Sequence, residues 1–243
     1  MIKERKLHES IQHKDWSTLK EMLQSPEIRS LVEQNQNTLF MSCACVPAHI
    51  ISMIFDVCPQ QIFFKDMYGN TPLHNALSNF GSNAEEVVEF LLHVAPELAR
   101  MTNYDGKLPL HQAMLNRRSP QIVMRLVQAF PQGLYMHNGI GGTPAQLFFD
   151  EWLDVLEDHS DNFERLRGPQ FDSPEGNAYD IVTKTLLVII EVHNALRLAQ
   201  IMIPPVFTEL MIKMFSKEVR EEEKVEEDVE YELIESLTHL KVI

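Results

Sequence analysis

Apolar residues recur along the first half of the chain in short stripes. Trp16, Leu19 and Leu23 make one; Ile50, Ile51, Ile54 and Val57 a second; Val87, Val88, Leu91 and Val94 a third; Ile122, Val123, Leu126 and Val127 a fourth. This spacing lines one face of an α-helix. A proline follows each stripe, at Pro26, Pro59, Pro96 and Pro131, with spacings of 33, 37 and 35. Ile28, Ile62, Leu98 and Leu134 come within three residues of those prolines. The pattern predicts an all-α chain built from a helical unit used several times over.

A second marker runs in phase with the first. Asp66 to Ala76 reads DMYGNTPLHNA and Asn103 to Ala113 reads NYDGKLPLHQA. Gly69 and Gly106, Pro72 and Pro109, and His74 and His111 are each 37 apart. A third copy, Asn138 to Gln146, reads NGIGGTPAQ, with Gly141 and Pro144 each 35 beyond Gly106 and Pro109. Fainter copies extend backwards: Thr38-Leu39-Phe40 lies 33 before Thr71-Pro72-Leu73, and Leu7-His8 lies 33 before Phe40-Met41.

The residue types fit their places. Gly69 and Gly106 suit a turn that needs positive φ or close backbone approach. Pro72, Pro109 and Pro144 suit the first turn of a helix, where a missing N–H costs nothing. Ala76 and Ala113 are small enough for neighbouring helices to pack closely. Ser119-Pro120 reads as an N-cap with a first-turn proline, Ser82 with Glu85 as a capping box, and Pro47 as the opening of the helix with Ile50 and Ile54. Each unit is then two short antiparallel helices and a loop. One such unit cannot bury its own apolar face, so stacking is required.

These motifs resemble the ankyrin repeat family, whose unit of about 33 residues carries a T-P-L-H core. The proline after the second helix also resembles repeats common in diatom and related algal proteins. The resemblance covers roughly residues 5 to 150. It implies an ankyrin-type helical solenoid of about four to five helix-pair repeats, followed by a C-terminal helical extension. The expected units are 5–32, 33–65, 66–102 and 103–137, with an atypical closing unit at 138–160, where Gln146 replaces the histidine and Phe148 the alanine. It also implies that His74 and His111 tie adjacent loops together rather than catalyse, and that partners meet the loop tips and inner helices. By motif position the tips are Met67, Tyr68 and Asn70, then Tyr104, Asp105 and Lys107, then Gly139, Ile140 and Gly142. The inner-helix residues are Ser78 and Asn79, then Leu115 and Asn116. Tyr68 and Tyr104 are the expected anchors, since tyrosine is enriched at binding hot spots.

Beyond the repeats, residues 161–177 read as a linker or long loop, rich in proline and glycine. Gly176 lies 35 beyond Gly141, which leaves room for a degraded sixth unit. Residues 178–203 read as a helix that is apolar nearly all round and so buried; Pro204-Pro205 stops it, and a short helix follows over 206–215. The stretch from Ser216 to Ile243 holds ten acids against four bases. Val225, Val229, Leu233, Leu237 and Leu240 give it one apolar stripe, for docking on the preceding helices or on a partner. The expected divisions are 1–160, 161–177 and 178–243.

Charge and chemistry narrow the function. Lys and Arg number 21 against 35 Asp and Glu, a formal net charge of −14. That balance argues against nucleic acid and anionic membrane, and favours a protein partner with a basic surface. Arg117-Arg118 is too small a basic patch for nucleic acid. No apolar stretch follows MIKERKLHES, and no run reaches the roughly 18 apolar residues a membrane span needs. Three cysteines, Cys43, Cys45 and Cys58, read as reduced thiols in the cytoplasm or nucleus. Cys43, Cys45, His49 and Cys58 lack the usual zinc spacing, and the cysteines read as small buried residues. Asp150, Glu151, Asp154, Glu157, Asp158 and Asp161 read as a solvated acidic face rather than a metal or catalytic cleft. No cofactor motif occurs. The expectation is a non-catalytic interaction module that uses no cofactor or metal. Its rivals are a self-assembling protein joined through its C-terminal helices and, further off, an enzyme built around His159. The pattern also decays without a clear polar cap, which leaves room for a longer natural chain.

Overall fold

The computed structural model of the chain describes residues 6, 9–11, 13–34, 38–43, 46–78, 83–160, 166, 177–195 and 204–218. Among these, every regular element is helical. The α-helices are α1 (Trp16–Gln24), α2 (Pro26–Gln34), α3 (Thr38–Ser42), α4 (Ala48–Val57), α5 (Pro72–Ser78), α6 (Ala84–Val94), α7 (Pro109–Leu115), α8 (Pro120–Ala129), α9 (Pro144–Asp158), α10 (Ala178–Ala195) and α11 (Pro205–Glu218). They stand in two rows. Helices α3, α5, α7 and α9 pack on one another in chain order, and α11 continues that row against α9. Helices α1, α4, α6 and α8 form the other row, and α10 continues it against α8.

The apolar stripes hold the rows together. Ile50, Ile51 and Ile54, then Val87, Val88 and Leu91, then Ile122, Val123, Leu126 and Val127 are all buried between them. Each such side chain contributes roughly 1.5–3 kcal/mol on leaving water. Proline ends each stripe by keeping the residue before it out of the helical region. Cys58, Ala95 and Phe130 accordingly share nearly one conformation, with φ of −140°, −148° and −150°. A single 3-10 turn follows each: Pro59–Phe63, Pro96–Arg100 and Pro131–Tyr135.

Pro26 behaves differently: it opens α2, a nine-residue α-helix. Seven residues beyond the other three prolines stand Asp66, Asn103 and Asn138, whose side chains fold a turn; seven beyond Pro26 stands Glu33. There the helix runs on to Gln34. The second unit also lacks the first-turn proline, since Leu39 stands there. Leu39 therefore has an N–H to satisfy, and buried Gln61 accepts it at 3.0 Å while donating to Val32 O at 2.8 Å.

Two N-terminal signals met different outcomes. Ser119 caps α8 by accepting from Ile122 N–H at 3.3 Å. The capping box read on Ser82 and Glu85 is displaced: Asn83 stands in the cap position, with no side-chain cap bond, and Ser82 lies outside the described residues. Asp15 caps α1 through Thr18 N–H at 3.1 Å, and its hydrogen bonds to Thr18 and Ser17 hold its carboxyl below the usual range.

The basic doublet is built into the fold. Helix α7 ends with Arg117 N–H on Met114 O and Arg118 N–H on Ala113 O, a Schellman closure with Arg117 at φ 49° where glycine is usual. Lys14, at φ 56°, closes an earlier helix in the same way, through Ile11 O and Ser10 O. Arg117 lies over the Trp152 ring at 5.1 Å and reaches Glu151, while Arg118 is buried with Nε on Leu77 O at 3.0 Å.

Phe148, bulky where Ala76 and Ala113 are small, is fully accommodated. It packs with Phe149 on α9 and Phe207 on α11, with ring centroids 5.0–5.9 Å apart. The helix expected over 178–203 is described as far as Ala195, and that expected over 206–215 runs from Pro205 to Glu218. Because α10 stands in the row of second helices, the register from Gly176 does not lead to a further first helix. Gly176 and the acidic stretch beyond Glu218 lie outside the described residues. No helix among the described residues is long and apolar enough to cross a membrane.

Candidate functional site

Three turns project from the starts of α5, α7 and α9, and one device folds them all. Asp66 Oδ1 accepts the N–H groups of Tyr68 and Asn70, at 2.9 and 2.7 Å. Asn103 Oδ1 accepts those of Asp105 and Lys107, at 3.0 and 2.9 Å. Asn138 Oδ1 accepts those of Ile140 and Gly142, at 3.0 and 2.9 Å. Such side chains mimic a backbone turn. Gly69, Gly106 and Gly141 supply the positive φ each turn needs, at 78°, 71° and 89°. These three acceptors were missed in the reading of the motif, although each stands three residues before its glycine.

Histidine anchors each turn to the next. His74 Nδ1 accepts Thr71 N–H at 3.3 Å, and His111 Nδ1 accepts Leu108 N–H at 3.0 Å. Each thus serves as the third-position partner of a helix cap. With Nδ1 accepting, the ring proton is assigned to Nε2. That N–H donates to the following turn: His74 to Lys107 O at 3.0 Å, His111 to Gly142 O at 3.1 Å. Burial pushes the His74 ring down to about 4 against the opposing hydrogen bond to Lys107, and lowers His111 likewise. Both are neutral ties between turns. The third copy keeps only the cap, Thr143 Oγ1 accepting Gln146 N–H at 3.2 Å.

What the ties hold outward is apolar. Met67, Tyr68, Tyr104 and Ile140 are 80%, 64%, 74% and 89% exposed, all on the turn tips. Asp105 is exposed beside them and Lys107 half-buried, 3.9 Å from it. Asn70 is half-buried and structural: its Oδ1 accepts Asn103 Nδ2 at 3.0 Å. Ser78 is exposed, with its hydroxyl on His74 O. Leu115 and Asn116 are half-buried, and Asn116 Nδ2 donates to Leu77 O at 2.7 Å, which joins α7 to α5. Asn79 lies outside the described residues. The structure therefore groups the tip residues in one row, while Asn70 and Asn116 serve mainly to hold units together.

The other constellations are arranged for packing. Cys43 and Cys58 are buried thiols, and burial, with Glu33 nearby, pushes the Cys58 thiol up to about 11. Cys45 lies outside the described residues. Among the described residues no three His, Cys, Asp or Glu side chains are grouped to hold a metal. His159 turns Nδ1 onto Val155 O at 2.9 Å, Asp158 is exposed, and Asp161 lies outside the described residues. Asp150, Asp154, Glu157 and Asp158 line the exposed side of α9.

Residues 68–100 match the family model of the ankyrin repeat. The matched segment runs from the first of the three turns to the end of the 3-10 turn after α6, and does not distinguish the algal type of repeat. No curated protein matches the chain.

Proposed function

We propose that this chain, an all-helical protein that carries an ankyrin repeat, is a non-catalytic module that binds a partner protein along its row of turn tips. The observation that carries the reading is the concentration of Met67, Tyr68, Tyr104 and Ile140 on the tips of turns tied to one another by backbone and histidine hydrogen bonds. A turn backbone already fixed in the free protein loses little conformational entropy on binding, and tyrosine suits an interface that is apolar at its centre and wet at its rim. Asp105, Ser78 and Lys107 stand at the edge of the row, with Leu115 and Asn116 behind.

Charge refines the partner. At the tips Lys65 and Lys107 balance Asp66 and Asp105. The acidic surplus lies farther along, on α9, where Asp150, Asp154, Glu157 and Asp158 meet no lysine or arginine in the helix and Glu151 is met by Arg117. The partner surface is apolar opposite the tips and basic opposite α9. We read α9 with α10 as a fifth helix pair closing the repeat array, and the site as intracellular, in cytoplasm or nucleus.

The test is affinity capture from source-cell lysate with the wild type and a Tyr68→Ala, Tyr104→Ala variant of equal thermal stability. The expected result is a protein held by the wild type and reduced at least about tenfold by the variant, a loss of about 1.4 kcal/mol or more. Equal capture by both would reject the tip row. Capture of the chain by itself, with mass rising with concentration, would favour assembly instead.

A further inference from the structure

The turns stack as rungs, joined by backbone hydrogen bonds. In the first joint Tyr104 N–H donates to Tyr68 O at 3.0 Å; in the second Gly139 N–H donates to Asp105 O at 2.7 Å. Each donor directly follows the asparagine that folds its own turn: Tyr104 follows Asn103, and Gly139 follows Asn138. Asn138-Gly139 is the one Asn-Gly pair in the chain. Asparagine is a chemically labile side chain, most of all before glycine, where no Cβ shields the next amide nitrogen. Tyr104 carries such a shield, and its ring lies over Gly69. The second joint therefore holds the labile pair. Asn138 Oδ1 accepts the N–H groups of Ile140 and Gly142, so the carboxamide is already folded back along its own main chain. Gly139 is exposed, within reach of water. What restrains the pair is the joint itself, which engages the Gly139 N–H on Asp105 O and keeps Asn138 buried.

We propose that Asn138-Gly139 is a spontaneous deamidation site gated by the joint between the second and third turns. When the joint opens, the Gly139 nitrogen gives its proton to solvent base and attacks Asn138 Cγ. The N–Cγ bond forms, the Cγ–Nδ2 bond breaks, and Nδ2 takes a proton from water and leaves as ammonia. Water then opens the cyclic imide, its hydroxyl going to one carbonyl carbon and its proton to the ring nitrogen. Opening at Cγ gives aspartate, which keeps the acceptor that folds the turn. Opening at the other carbonyl gives isoaspartate, whose main chain runs through Cγ and is one methylene longer. Oδ1 is then a main-chain oxygen, so the turn loses its fold and Ile140 its place among the tips. Overall one water is consumed and one ammonia released, with no oxidant or reductant. This inference goes beyond the docking reading and concerns the turn whether or not the row binds a partner.

The test incubates the full-length chain at mildly alkaline pH in oxygen-18 water, with a free peptide of residues 136–144 as the ungated reference. Mass spectrometry of the digested chain reads label and conversion at residue 138, and chromatography separates aspartate from isoaspartate. The folded chain is expected to convert at least about tenfold more slowly than the peptide, because the rate follows the population of the opened joint. Gly106→Ala leaves the Asn-Gly pair intact but drives a Cβ to 2.8 Å from Gly139 N and 3.3 Å from Asn138 C. It is expected to speed conversion at least about tenfold over the wild type by raising the opened population. Gly69→Ala strikes the first joint instead, 2.8 Å from Tyr104 N, and should leave the rate at residue 138 near that of the wild type. A folded chain as fast as the peptide, no acceleration in Gly106→Ala, or equal acceleration in Gly69→Ala would each overturn the gate. If Gly106→Ala does not fold, the wild type in urea below its unfolding midpoint takes its place. Conversion at Asn138 must then rise in step with hydrogen exchange of the Gly139 N–H, and divergence of the two overturns the proposal.

Discussion

The middle of the molecule, from Asp66 to Tyr135, and its closing end, from Asn138 to Glu218, solve the same stacking problem by different chemistry. In the middle, small residues bring the first helices close: Ala76 and Ala113 are buried between α5, α7 and their neighbours. Polar ties then fix the register, with histidine to carbonyl, asparagine to asparagine, and turn to turn. At the end, Gln146 makes no tie to a following turn among the described residues, and Phe148 stands at the alanine position. There three rings hold α9 to α11. Hydrogen bonds specify a register to within one residue, because a slipped donor is left buried and unsatisfied. Aromatic packing is stronger per residue and less exacting.

The sharpest way to break the comparison is to give the end the alanine that the middle uses. Phe148→Ala removes a fully buried ring and leaves a cavity against Phe149 and Phe207, with an expected loss of about 3–5 kcal/mol. The loss should be read by chemical denaturation, with α11 released first in hydrogen exchange. The reciprocal Ala113→Phe overfills the gap between α7 and its neighbours and should cost at least about 1–3 kcal/mol. A small effect at Phe148 would mean that the rings do not hold the end.

Acid should separate the two regions next. His74 is held neutral at a pKa of about 4 in the folded state, against an ordinary 6.5, and His111 is shifted in the same direction. Between those values the unfolded chain binds the proton that the folded chain refuses. The contribution is complete above pH 6.5 and is lost as pH falls toward 4. For His74 alone the loss between pH 7 and pH 5 is about 2 kcal/mol. Urea midpoints at the two pH values measure it, and His74→Gln should flatten the difference. Gln146, which stands in that position at the closing end, carries no titrating ring.

Much of this was legible, for a physical reason. Glycine at positive φ, proline in a first helical turn and histidine in a cap are constraints on backbone, so they recur wherever the backbone does. The spacing of Gly69, Gly106 and Gly141 therefore located all three turns. Stripes such as Ile50, Ile51 and Ile54 located the second helices. Other features carried no periodic signal. Phe207 lies 59 residues after Phe148, and neither position announces the other. Arg118 looked like part of a basic patch, yet is buried against Leu77 O, because only the Schellman closure at Arg117 turns it inward. Tip exposure was inferable from the turns. The ladder between them was not, since backbone hydrogen bonds leave no mark on side-chain identity.

The smallest expected effect is also the most specific to the polar ties. In the first joint, Asn103 Nδ2 donates to Asn70 Oδ1 at 3.0 Å. In the second joint the matching donor is Asn138 Nδ2, and the residue in the place of Asn70 is Lys107. An ammonium side chain offers no acceptor. Asn138 Nδ2 is accordingly buried with no hydrogen-bond partner among the described residues, while the side chain's oxygen is fully used in its own turn. Lys107→Asn restores the acceptor. The backbone role of residue 107 is retained, since its N–H still bonds Asn103 Oδ1 and its carbonyl still accepts from His74. The lost Lys107–Asp105 contact is long, at 3.9 Å, and partly exposed, so it contributes little. The variant should gain about 1 kcal/mol, seen as a higher urea midpoint at unchanged slope. In Asn138→Asp, which keeps the turn acceptor and removes the orphan donor, Lys107→Asn should lose its benefit. If Lys107→Asn raised stability equally in both backgrounds, the gain would come from somewhere other than the asparagine pair, and the middle joints would not share one design.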